Sequence, residues 1–292
     1  MFKGDICQVQ AIDVHGHFGT TISGQSVLIN EFMTGDVCTV INRANLAKTV
    51  LTIVSCLEAF SHHKGACVKS NNTTAESVKK TDKLMQWVVV NPLEPQTYDQ
   101  AKEMLKSLKC VGIKIHPEEH GYPINEKGRE IFEFAEKHNT IVQTHSGEQK
   151  SIPEDFVPFC NAFPNVILIL AHLGCGWDND PSHQVRAIQA SKHGNIYVDT
   201  SSAKNIMPKL IEWAVKEIGS ERLLYGTDSP LYFAPMQRAR IDYAEISDRA
   251  KRNILCENAV RLFGLQTQYS QNSFHNGSKR GKVYANISKG AN

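Results

Sequence analysis

Along this chain short β-rich runs alternate with longer stretches whose apolar residues recur at helical spacing. The runs are QVQAIDV (8–14), LTIVSC (51–56), LMQWVVV (84–90), CVGIKI (110–115), TIVQT (140–144), NVILILA (165–171), NIYVDT (195–200) and RLLYGT (222–227), eight in all. Between them YDQAKEMLKSL, NEKGREIFEFAEKH, PEDFVPFCNAF, SHQVRAIQASK and NIMPKLIEWAVKEI place apolar side chains at i, i+3, i+4 and i+7, the pattern of a helix with one buried face. Pro153 near one helical start and Gly219 after another run punctuate the pattern in the expected sense. Strands that alternate with helices pair in parallel through right-handed crossovers, and a run as apolar as VILILA is buried on both faces. Eight such units predict an α/β protein, a (β/α)8 TIM barrel. Residues 1–265 form that single barrel domain, and 266–292, rich in Asn, Ser, Gly and Lys, read as a polar, mobile C-terminal tail. Two regions depart from the alternation. Residues 19–50 read as a loop and helices near the mouth of the site, and 58–74 as a long polar stretch after the second strand.

The chain has 292 residues, 41% hydrophobic and 21% charged, enough apolar content for a sizeable core and too much for a disordered chain. Lys+Arg is 32 against Asp+Glu 30, a net charge of +2. That balance gives no electrostatic reason to expect a nucleic-acid or membrane partner, so a small-molecule substrate is the expected one. The first twelve residues lack the basic start and apolar stretch of a secretory signal, and no window approaches the ~18 apolar residues of a membrane helix. The expectation is a cytoplasmic protein. Its eight cysteines form no C-x-x-C pair and read as free thiols. The sequons at Asn71, Asn72, Asn276 and Asn286 therefore carry little weight. Twelve histidines remain, several at the ends of apolar runs.

The active site of such a barrel lies at the carboxyl ends of its strands. The first strand leads into Asp13-Val14-His15-Gly16-His17, and side-chain alternation sends His15 and His17 to one side, where two imidazoles can share a metal. The fourth strand brings Lys114 and His116, the fifth His145, the sixth His172 and the eighth Asp228. A lone histidine at a strand end is more often a hydrogen-bonded rim residue than a ligand. Coincidence at equivalent positions changes that reading, because neutral imidazoles with a carboxylate suit a divalent transition metal that keeps an open position.

IDVHGHFG (12–19), VGIKIHPEEHGYPIN (111–125), IVQTHSGE (141–148), VILILAHLGCGW (166–177), NIYVDTSS (195–202), RLLYGTDSP (222–230) and ENAVRLFGL (257–265) resemble the amidohydrolase superfamily. The resemblance is strongest to the amidohydrolase-related (amidohydrolase 2) group, which includes metal-dependent hydrolases and aminocarboxymuconate-semialdehyde decarboxylase-like enzymes. It implies one divalent ion, zinc first and manganese as the alternative, held by His15, His17, His145 and Asp228. It makes His172 the residue that acts on substrate or on the metal's water, and Asp228 a proton shuttle as well as a ligand. Such a metal lowers the pKa of bound water and polarises a carbonyl. The first reading is hydrolysis of a small amide, ester or lactone. The alternative is a nonoxidative decarboxylase of a small carboxylic acid on the same site, distinguished by a cationic clamp for the carboxylate, and a noncatalytic barrel is the third. Candidates for the clamp are Arg43, Lys64, Arg238 and Arg240. Lys114 either pairs with a buried carboxylate such as Asp13 or Asp228, reaches a substrate carboxylate, or is carboxylated to bridge a second metal. His116, Glu148 and Trp177 are expected to border the substrate, Tyr122 and Tyr232 to supply a hydrogen-bonding wall, and Asp199 to be a structural acceptor. The remaining histidines are assigned to the surface, and a homodimer is the assembly the resemblance implies.

Overall fold

The computed structural model describes residues 9–21, 26–61, 63–201 and 206–265; the proposed tail over 266–292 lies outside them. Eight parallel strands follow one another in chain order: β1 Ala11–Phe18, β2 Thr49–Cys56, β3 Leu84–Val89, β4 Cys110–Ile115, β5 Ile141–Thr144, β6 Leu168–Leu170, β7 Ile196–Asp199 and β8 Leu223–Leu224. They make the expected (β/α)8 barrel, nearly closed. Each predicted run holds one strand, although β6 and β8 are shorter than their runs, and β1 continues to Phe18 so that His15 and His17 lie within it. The β8–β1 seam has no regular ladder. It is joined by single backbone hydrogen bonds, Val14 N to Tyr225 O at 2.9 Å, Asp228 N to His15 O at 2.7 Å and His17 N to Ser229 O at 2.6 Å.

Inside the barrel Ile12, Val14, Leu51, Ile53, Trp87, Ile169, Tyr197 and Leu224 form one apolar cluster, closed below by Ala259 of α12 (Asn258–Phe263). Buried Gln143 and Asp199 follow the apolar Ile141 and Tyr197 two residues before them on their strands, and buried Lys114 follows Gly112, so the interior turns polar toward the carboxyl end. A register shift between Asp13 and Gly16 against β2 re-phases β1, as a bulge does. His15 and His17 thereby face inward above Ile12 and Val14. The larger core lies between strands and helices. There α6 (Ile124–Lys137) buries Ile124, Ile131, Phe132 and Ala135, and full burial of a side chain such as Phe132 contributes about 1.5–3 kcal/mol. Gly128 lets α6 approach α7 (Val157–Ala162), since a Cβ there would lie 2.4 Å from the Phe159 ring.

The described residues between Gly19 and β2 include the two expected helices, α1 (Val27–Met33) and α2 (Val37–Leu46), each N-capped by a side chain, Ser26 and Asp36. The polar stretch 58–74 is different. Much of it belongs to α3 (Ala66–Lys79), a helix whose buried face is Cys67, Ser70, Asn71, Thr74 and Val78. Asn71 explains how so polar a face can pack. Its side chain donates to Val89 O at 2.8 Å and accepts from Val89 N at 2.7 Å, satisfying β3 where it ends. No helix among the described residues is long and apolar enough to cross a membrane.

Candidate metal centre

Two strands bring three donors to one point, β1 with His15 and His17 and the end of β8 with Asp228. His15 Nε2 and His17 Nε2 lie 3.2 Å apart, and Asp228 Oδ1 is 3.4 Å from the first and 3.1 Å from the second. All three residues are buried. The far nitrogen of each ring is engaged. His15 Nδ1 faces Asp199 Oδ2 at 2.9 Å, and His17 Nδ1 faces Ser55 O at 3.2 Å. Both acceptors select the tautomer that leaves Nε2 bare and pointing inward. Burial pushes the His17 imidazole down to about 4, against the pull of Asp228, so it is neutral as a ligand must be. Burial acts against the Asp228 carboxylate too, yet His15 and His17 hold it well below the ordinary range. Bare nitrogens and a carboxylate oxygen packed this closely repel one another unless a cation lies among them. The donor set therefore fits a divalent metal, and these residues form a group able to hold one.

His145 does not join that group. Its Nε2 faces Glu148 Oε2 at 3.2 Å, its Nδ1 faces His172 Nε2 at 3.1 Å, and its ring stacks on His116 with centroids 4.2 Å apart. His172 in turn has Nδ1 2.8 Å from Ser201 Oγ. Burial, with His145 and His15 adding to it, keeps His172 well below its ordinary pKa although Asp228 and Asp199 oppose this. His172 and Asp228 both sit in the left-handed region, at φ 69° and 56°. Non-glycine residues held there cost of order 1–3 kcal/mol each and cluster at functional sites.

Lys114 is fully buried, and its Nζ lies 3.0 Å from His15 Nε2. Burial brings it down to about 8, against the nearby Asp199 and Asp228. The expected partner Asp13 is otherwise engaged: its carboxylate accepts from Thr227 Oγ1 at 2.6 Å, Thr227 N at 3.0 Å and His15 N at 3.0 Å, and so clasps β1 to β8. Asp199 proves to be an acceptor within the site, taking His15 Nδ1, the Ser201 hydroxyl and Gln143 Nε2.

A cavity of about 290 Å³ opens above these groups. His15, His17, Lys114, His116, His145, Glu148, His172, Asp228 and Tyr232 line it, joined by residues the sequence did not single out, among them Phe60, Met33, Glu58 and Glu119. Trp177 is absent from that wall; it is exposed and borders a second, adjoining cavity with Glu118 and Gln149. None of the proposed clamp residues reaches the first cavity. Arg43 donates to Pro230 O, Arg238 pairs with Asp242 at 2.9 Å, Arg240 donates to Thr200 O, and Lys64 is exposed. Tyr122 is buried beside His120 instead of lining the wall. His120 and His183, expected at the surface, are buried because each ring finds an acceptor, Ala59 O and the carboxylates of Glu154 and Asp178 respectively.

Imidazole and carboxylate donors gathered at the carboxyl rim of a (β/α)8 barrel define a metal-dependent barrel enzyme. Residues 12–265 match the amidohydrolase family, and the chain belongs to it. A search of curated proteins finds no match in sequence. Among solved structures, 2,6-dihydroxybenzoate decarboxylase from Rhizobium superposes with a TM-score of 0.71 at 16% identity, covering 88% of this chain and 99% of that one. The 5-carboxyvanillate decarboxylase of Novosphingobium aromaticivorans, complexed with manganese and 4-hydroxy-3-methoxy-5-nitrobenzoic acid, gives 0.70 at 15%, covering 91% and 100%. A dihydroxybenzoic acid decarboxylase from a Polaromonas species, with manganese and 2-nitroresorcinol, gives 0.70 at 15%, covering 90% and 100%. At such identities the likeness establishes the shared fold.

Proposed function

We propose that this enzyme is a nonoxidative decarboxylase of a small carboxylic acid, in preference to the hydrolase that the sequence placed first. The observation that carries the reading is the cavity wall. Met33, Leu57, Phe60 and Leu231 line the space together with the donor group, and no arginine among the described residues lines it. A carboxylate anchored at the floor by Lys114 and the metal-binding group is pressed against these apolar side chains and loses hydration, and departure as neutral carbon dioxide relieves that cost. The likeness to three decarboxylases supports the same direction, and two of them carry manganese.

His15, His17 and Asp228 would hold one divalent ion, with His145 beside them as a supporting residue. When bound, it polarises a substrate oxygen as a Lewis acid. Asp199 and Ser55 fix the two imidazoles of β1 so that no reorganisation is needed for binding. Lys114 stands within reach of a substrate oxygen at the cavity floor. Burial leaves His172 neutral, so it enters as a proton acceptor. It takes a proton from solvent and delivers it to the carbon that loses the carboxyl group. The electrons of the broken carbon–carbon bond stay with that carbon until it is protonated, and the balance is carboxylate and one proton in, protonated carbon and carbon dioxide out.

The test is to load the protein with zinc or manganese and offer hydroxybenzoic and unsaturated carboxylic acids beside lactones, esters and amides. Carbon dioxide release is expected from the acids, and His172→Ala should lower kcat by roughly 100-fold or more, as loss of a proton-transfer group does. Acid release from lactones or esters without carbon dioxide from any acid would return the hydrolase reading.

A further inference from the structure

We propose that the substrate carries a single carboxylate and presents hydroxyl or amino groups to a carboxylate rim formed by Glu58, Glu119 and Glu148, which sets specificity against dicarboxylic acids. The inference rests on the decarboxylase reading and names its substrate class. Charge in the cavity is sorted by depth. The metal-binding group and Lys114 are buried at the floor, Lys114 being the only lysine or arginine among the described lining residues, while of the three lining glutamates Glu58 and Glu148 are half-buried and Glu119 is exposed. The floor suits one anionic group. The rim suits donors.

Two of the rim carboxylates are held in place. Glu58 Oε1 accepts from Thr20 N at 2.9 Å and Oε2 from Cys56 Sγ at 2.8 Å. The loop after β1 closes tightly on it because Gly19, at φ 113°, has no side chain; a Cβ there would fall 2.1 Å from Glu58 Oε2. Glu148 is set by His145 Nε2. Glu119 stands at the start of α5 (Pro117–His120), where its backbone N–H donates to His116 Nδ1 at 3.3 Å. Each carboxylate oxygen can accept more than one hydrogen bond, so anchoring leaves capacity for a ligand. A substrate hydroxyl or amine meets fixed acceptors, and a site built this way rejects analogues that lack the donor. A second carboxylate at the same end meets three like charges, and like-charge juxtaposition is a strong device of exclusion.

The experiment measures binding by calorimetry to the zinc-loaded full chain, with benzoate, 2,4-dihydroxybenzoate and 4-hydroxyisophthalate as probes. The dihydroxy acid should bind about tenfold or more tightly than either of the others. Glu58→Gln and Glu119→Gln should each shrink the discrimination against the isophthalate at least threefold with metal content unchanged, and so should raising the ionic strength, because the rim is open to solvent. Equal binding of the dihydroxy acid and the isophthalate, no binding of any probe, or discrimination untouched in both variants would overturn it. Since binding is read without turnover, intact discrimination with no carbon dioxide release would sink the decarboxylase reading and leave the rim standing.

Discussion

His15 touches more of the site than any other side chain. Its Nδ1 is held by Asp199, and its Nε2 faces His17, Lys114 and Asp228. Loss of such a residue removes a donor and also frees Lys114 and Asp199 from their shared partner. His15→Ala and Asp228→Ala should therefore abolish metal binding, with less than about a tenth of an equivalent retained by elemental analysis. His145 stands beside this group instead of within it, so His145→Ala should keep the metal with affinity weakened about 10–100-fold, the range seen when supporting residues are lost. A His145→Ala protein as empty as His15→Ala would make His145 an equal ligand. The donor types gathered at the cavity were legible in the sequence because each strand end carries its residue in the local motif. Of their supports only Asp199 is legible there, as an acceptor without a named partner. Asp199 and His15 are 184 residues apart, Ser201 and Gln143 carry no motif of their own, and only barrel closure makes them neighbours.

Among the elements, the alternation of apolar runs located all eight strands because strands buried on both faces must be apolar. It missed α3 for a physical reason: Ser70, Asn71 and Thr74 fill that interface through hydrogen bonds, so no hydrophobic stripe is present to read. The first turn of α8 (His183–Ala190) shows a similar substitution of charge for apolar packing. Burial disfavours charge on His183, yet Asp178 and Glu154, 2.9 and 3.0 Å away, raise its pKa above the ordinary 6.5. A histidine whose folded pKa is raised gives its full stabilisation below 6.5, and that contribution is lost as pH rises through the folded value. His183→Gln should therefore lower Tm by roughly 2 °C at pH 6, in line with a partly exposed ion pair worth about 1 kcal/mol or less. The difference from the wild type should narrow toward pH 9. A gap that stays constant or widens with pH would show that the ring contributes by packing and not by charge.

For the whole molecule the weak point is the barrel seam. β8 pairs with β7 through Leu223 and Leu224 alone, and meets β1 through single hydrogen bonds and the Asp13–Thr227 clasp. The donor group straddles the same seam, with His15 and His17 on β1 and Asp228 just beyond β8. A metal bound there would staple the two edges of the sheet, so binding energy is also closure energy. An ion present at 100 times its Kd stabilises the folded state by about 2.7 kcal/mol, and at this chain length each kcal/mol moves Tm by about 2–4 °C. Removing metal with a chelator should accordingly lower Tm by roughly 5–11 °C, and added zinc or manganese should restore it. Hydrogen exchange should report where the energy went: amides of β1 and of the residues around Asp228 should lose protection, while those of β4 and β5, across the barrel, should not. The Asp228→Ala protein supplies the control, since its Tm should not respond to chelator at all. Uniform loss of protection around the barrel would mean that the ion stabilises the fold without closing the seam.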